Sequence, residues 1–106
     1  MKEWYLRLAS MRFESVLKEW SDRMRVAPKA TAIREMPKRW GSCTPSGKII
    51  LNPELIKAPA GCIEYVVVHE LCHLVYKNHS PQFVRLQAKM MPDWERWKMR
   101  LERLMA

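Results

Sequence analysis

Apolar residues recur at helical spacing from Glu3 to about Met24: Leu6, then Met11 or Phe13, Val16 and Leu17, Trp20 and Met24. No Gly or Pro interrupts that span, so the pattern predicts one amphipathic helix. Val26-Ala27-Pro28-Lys29 ends it. Thr31 to Met36 alternates apolar and polar positions and reads as a strand. Pro37 through Gly47, with two Pro and two Gly, reads as a loop or hairpin connection. Lys48-Ile49-Ile50-Leu51-Asn52 is rich in β-branched residues and stops at Pro53, as a second short strand would. Pro59 suits the first turn of a helix running from Ala60 through about Lys77, and Asn78-His79 interrupts it. Ser80 as N-cap and Pro81 at the first helical position start a third helix through Met91. Pro92-Asp93 starts a last helix to Leu104, with apolar residues at 94, 97, 101 and 104–105. The expected class is α+β, a short two-stranded β unit set among helices.

Composition narrows the setting. At 106 residues the chain is expected to form one domain, 1–106, with no repeat, linker or low-complexity tract. An apolar share of 48% is that of a globular protein and argues against disorder. No apolar run approaches the roughly 20 residues a bilayer requires, and the start Met1-Lys2-Glu3-Trp4 shows no secretory leader, so a cytoplasmic protein is expected. Cys43, Cys62 and Cys72 are odd in number and form no close pair, which argues against both a disulfide framework and a zinc finger. A net charge of +8 admits a polyanionic partner, nucleic acid included. The excess is spread along the chain, however, as on an ordinary solvated basic surface.

His69-Glu70-Leu71-Cys72-His73 carries the chemistry. It is an H-E-x-x-H match, expected by chance in roughly one in a few hundred chains of this length. Residues four apart stack on one helix face, so both imidazoles reach one ion. Glu70, about 100° round the helix, falls outside the ligand set but within reach of a water at the metal. That arrangement suits a zinc hydrolase in which a carboxylate takes the proton of metal-activated water. The apolar run Tyr65-Val66-Val67-Val68 just before it would hold the ligand helix rigid. His79, at the helix break, is the third ligand expected; Glu54, Glu64 and Glu95 are the carboxylate alternatives. Cys72 is expected to pack as a small buried hydrophobe. Most of the five tryptophans are expected in packing roles, with Trp40, between Arg39 and Gly41, the one expected to touch substrate. Gly41 to Lys48 fails as a phosphate-binding loop on both spacing and the residue after Lys48.

Four segments in register resemble the YgjP-like metal-dependent hydrolases, zincins similar in their core to SprT-like metalloproteases. They are Arg39-Trp40-Gly41-Ser42-Cys43, Gly47-Lys48-Ile49-Ile50-Leu51-Asn52, Tyr65 through Leu74, and Asn78-His79-Ser80-Pro81-Gln82-Phe83. The resemblance implies a zinc site of His69, His73 and His79 with Glu70 as general base. It also implies a substrate strand beside the ligand helix, with the edge of Lys48, Ile49 and Ile50 receiving an extended peptide and Arg39 and Trp40 nearby. Longer members carry a β-rich region before the first helix, whereas this sequence starts almost at that helix. The leading expectation is a zinc metallopeptidase acting on polypeptide. A nucleoside triphosphate pyrophosphatase using the same metal with Lys38, Arg39 and Lys48 as phosphate contacts is the second. A nucleic-acid-associated module with zinc is the third.

Overall fold

A computed structural model describes residues 2–105, leaving the ends of the expected 1–106 domain and the side chain of Met105 outside the description. The helices are α1 (Glu3–Met24), α2 (Ala60–Val75), α3 (Pro81–Met90) and α4 (Trp94–Met105), and the strands are β1 (Ala30–Ile33), β2 (Gly41–Cys43) and β3 (Lys48–Leu51). A 3₁₀ turn, Pro53–Lys57, links β3 to α2. The α+β class stands, with helix ends close to those that the apolar pattern and the proline and cap signals mark out. Pro59 sits one residue earlier than expected, flanking α2 in extended backbone while its carbonyl accepts from Cys62 N–H at 2.9 Å.

The sheet corrects the two-stranded expectation. It has three strands in the order β1-β3-β2, with β1 parallel and β2 antiparallel to β3. β2 lies inside the segment read as a connection, because Gly-Ser-Cys offers no apolar alternation. It reaches β3 through the turn Thr44–Gly47, closed by Gly47 N–H to Thr44 C=O at 2.9 Å.

α2 is the axis of the molecule. Ile63, Val66, Val67, Val68, Leu71 and Cys72 are buried on several of its faces, the pattern of a helix enclosed by other elements. α1 packs on it through Ala9, Phe13, Val16, Leu17 and Trp20. Phe13 is buried and Met11 is 69% exposed, which settles the choice the sequence left between them. Trp20 Nε1 donates to Glu64 Oε1 of α2 at 3.2 Å. α4 docks through Trp97 over Gly61, where even one methyl would overlap the indole ring. Trp94 and Trp97 pack on the core, whereas Trp4 is exposed and stacks on Tyr5.

Asn52, buried at the end of β3, binds the segment leading into β2. Its side-chain amide donates to the carbonyls of Met36 (2.9 Å) and Arg39 (3.0 Å), while its Oδ1 accepts from Glu54 N–H at 3.0 Å. Among the described residues no helix is long and apolar enough to cross a membrane.

Candidate metal centre

The three histidines converge. His69 and His73 lie one turn apart on α2, and His79 returns from the loop before α3, so that one ligand atom of each falls within 4.8 Å of the others. His73 Nε2 and His79 Nε2 are 3.1 Å apart. Nitrogen donors around a tetrahedral zinc, each about 2.0–2.1 Å from the ion, stand roughly 3.3 Å from one another. The imidazole set therefore suits a zinc-sized cation by donor type, and the His73–His79 pair does so by spacing as well.

The remaining ring nitrogens of His69 and His73 are already committed. His69 Nδ1 lies 2.7 Å from Gln87 Oε1, and His73 Nδ1 lies 3.2 Å from the carbonyl of Lys77. An oxygen that can only accept requires Nδ1–H, and that tautomer leaves the Nε2 lone pair free for a metal. Phe83 forms the floor, its ring centroid 5.1, 4.7 and 4.9 Å from those of His69, His73 and His79. Phe83 and Gln87 are four residues apart on α3, which Ser80 caps by accepting from Phe83 N–H at 3.2 Å. Neither residue was anticipated in a site role. The available signal was Gln87 sharing the buried face of an otherwise solvated helix.

Burial dominates the electrostatics. It lowers the His69 pKa to about 4, with the Gln87 hydrogen bond opposing and the His73, His79 and Lys98 charges reinforcing the shift. His73 is lowered mainly by burial as well. Glu70, 6% exposed, is pushed up to about 7 by burial, and Arg39 pulls it back. Burial, with Glu70 adding, raises the Cys72 thiol to about 12, so it is a buried protonated group and not a nucleophile. Gly41 lets β2 approach the carboxylate: a Cβ there would sit 2.8 Å from Val66 Cγ1 and 3.2 Å from Glu70 Cγ.

These residues open on a cleft of about 510 Å³ between β2, α2 and α4. Arg39 and Trp40 line it, together with Tyr65, Lys98 and Glu102, which were not foreseen. Trp40 Nε1 is buried with no hydrogen-bond partner. The expectation for Lys48, Ile49 and Ile50 fails: none lines the cleft, and β3 is hydrogen-bonded on both flanks. Ile49 is fully buried and Ile50 is 5% exposed, so the strand is core. The continuous apolar run Ile49–Leu51 is itself the signature of a strand buried on both faces. Of the three cations expected for a phosphate, Lys38 and Lys48 lie outside the cleft and only Arg39 remains. The carboxylate alternatives stand apart from the histidines: Glu64 accepts from Trp20, Glu54 pairs with Lys57 at 2.8 Å, and Glu95 is exposed on α4.

Comparison with known proteins agrees with this geometry. The YgjP-like metallopeptidase domain matches residues 1–104. No curated protein matches the chain. The metallopeptidase zymogen abylysin of Pyrococcus abyssi superposes with a TM-score of 0.73 at 27% identity, over 88% of this chain and 91% of that one. The metallopeptidase zymogen jannalysin of Methanocaldococcus jannaschii shares the fold with a TM-score of 0.75 at 14% identity, over 89% and 97%.

Proposed function

This chain belongs to the YgjP-like metallopeptidase family, and from that premise we propose that it is a zinc peptidase whose ligands are His69, His73 and His79 and whose general base is Glu70. Residues 1–106 act as one catalytic domain in this reading. The convergence of three imidazole donors, two with their Nδ1 atoms facing acceptors, carries the proposal. When bound, zinc supplies Lewis acidity toward a carbonyl and makes water acidic enough to ionise near neutrality. Glu70 takes that proton and returns it to the departing amine. A carboxyl poised near pH 7 is matched to both transfers. The polypeptide lies along the free edge of β2, Gly41–Cys43, beside the cleft, in place of the β3 edge first expected. Arg39 and Trp40 contact it from the segment that Asn52 holds.

The test pairs metal content with activity. Protein purified without chelator is expected to hold about one zinc per chain, lost in His69→Ala and His79→Ala. Glu70→Gln should retain the metal yet lose peptide cleavage by roughly 10²–10⁴-fold, the scale of general-base catalysis. Undiminished cleavage in Glu70→Gln would remove the assigned base. Full zinc occupancy in His79→Ala would remove that ligand.

A further inference from the structure

A second cavity, about 370 Å³, continues the cleft past the ligand helix, and Cys43, His73 and Lys77 line both. Its walls are the chain after α1, the β2–β3 turn and the end of α2. Lys29 enters from the first and Lys77 from the last, and no acidic residue lines it among those described. Neither lysine belongs to a described ion pair. The turn adds polar atoms: Thr44 Oγ1 and Ser46 Oγ are 2.9 Å apart, and Thr44 Oγ1 accepts from Lys48 N–H at 3.0 Å. Lys29 is tied to the same turn by its backbone N–H, which donates to Gly47 C=O at 2.9 Å. The other end of the cleft is mixed in charge, for there Glu102 accompanies Lys98 on α4.

β2 runs from the mouth of the cleft into this cavity, because Cys43, its last residue, lines both. A peptide laid along β2 would carry side chains beyond the metal toward Lys29 and Lys77. We propose that this cavity is a specificity subsite for an acidic side chain, Asp or Glu, so that the substrate class is acidic polypeptide. The subsite rests on the peptidase reading above. Two ammonium groups without a counter-charge attract any anion. A carboxylate is the anion a polypeptide carries by default, and the cavity lacks the arginine fork that matches phosphate.

The experiment walks glutamate, alanine, lysine and phosphoserine through each position flanking the cleavage site of a quenched peptide. The zinc-loaded wild type is compared with Lys29→Glu and Lys77→Glu. Both lysines are exposed, and the backbone carbonyl by which Lys77 meets His73 survives the substitution. At one position glutamate is expected to raise kcat/KM over alanine by roughly fivefold to tenfold, the scale of one or two partly exposed ion pairs. That ratio should collapse in either variant, because one reversal leaves a single lysine facing a glutamate. Equal rates for glutamate and alanine at every position would overturn the subsite while leaving the peptidase intact. So would a preference that survives both charge reversals, or phosphoserine exceeding glutamate. Cleavage of none of the peptides would overturn the peptidase reading and the subsite with it.

Discussion

Gln87 is 2% exposed and uncharged, and its Oε1 faces His69 Nδ1 at 2.7 Å. A group of this kind sets both the tautomer and the angle of a metal-binding imidazole, and its loss typically weakens metal affinity 10–100-fold. Gln87→Leu should show that loss in a chelator competition, and Gln87→Glu, which keeps an acceptor, should restore binding. Equal weakening in both would reduce the contact to packing. The neighbouring pKa shifts have opposite consequences in metal-free protein. His69 is lowered from 6.5 to about 4, so its contribution to stability is complete above pH 6.5 and is lost as pH falls toward 4. Glu70 is raised from 4.5 to about 7, so its contribution is complete below pH 4.5 and is lost as pH rises through 7. Between about pH 4.5 and 6.5 the two slopes oppose. Glu70→Gln removes one of them. The metal-free variant should therefore lose about 1–2 kcal/mol more than metal-free wild type on going from pH 6.5 to 5, as urea denaturation would measure. Parallel pH profiles would show that burial does not shift these two groups as described.

Among the elements, α1 and α4 were legible from an apolar period repeated over ten or more residues, and α2 and α3 from the proline and cap signals at their starts. The strands were less so. β2 is three residues with no pattern, and only pairing with β3 defines it. The position of α4 was not legible at all, since it depends on Gly61 meeting Trp97, far along the chain. Gly61→Ala forces the indole away and should cost roughly 1–3 kcal/mol, the range for overpacking, seen as a lowered Tm. Because α4 carries Lys98 and Glu102 to the cleft, the same variant should raise KM more than it lowers kcat. Replacing Trp97 with Leu alongside it should recover part of the stability. An unchanged Tm in Gly61→Ala would mean that α4 is not held by this contact.

For the whole molecule, a chain this short has a thin stability margin, and a ligand that binds only the folded state adds to it by mass action. Zinc at one hundred times its dissociation constant should add about 2.7 kcal/mol and raise Tm by about 10 °C or more, reversed by chelator. His79→Ala should blunt that shift. The helical order, the His69–His73 pair, the place of Glu70 beside it and the likeness to a metallopeptidase family were all determined by sequence alone, because each depends on spacing within one helix or on a motif read in order. The tertiary structure decided the rest. His79 had no fixed distance from His73 until the loop before α3 folded back, and Phe83 and Gln87 became supports only when α3 packed against α2. β3 became core and β2 the exposed edge because strand order depends on which backbone donors and acceptors meet across the chain. Lys77, Lys98 and Glu102 gather around the cleft, and Lys29 meets Lys77 in the adjoining cavity, for the same reason: contacts between distant segments are set by packing, which no local period records.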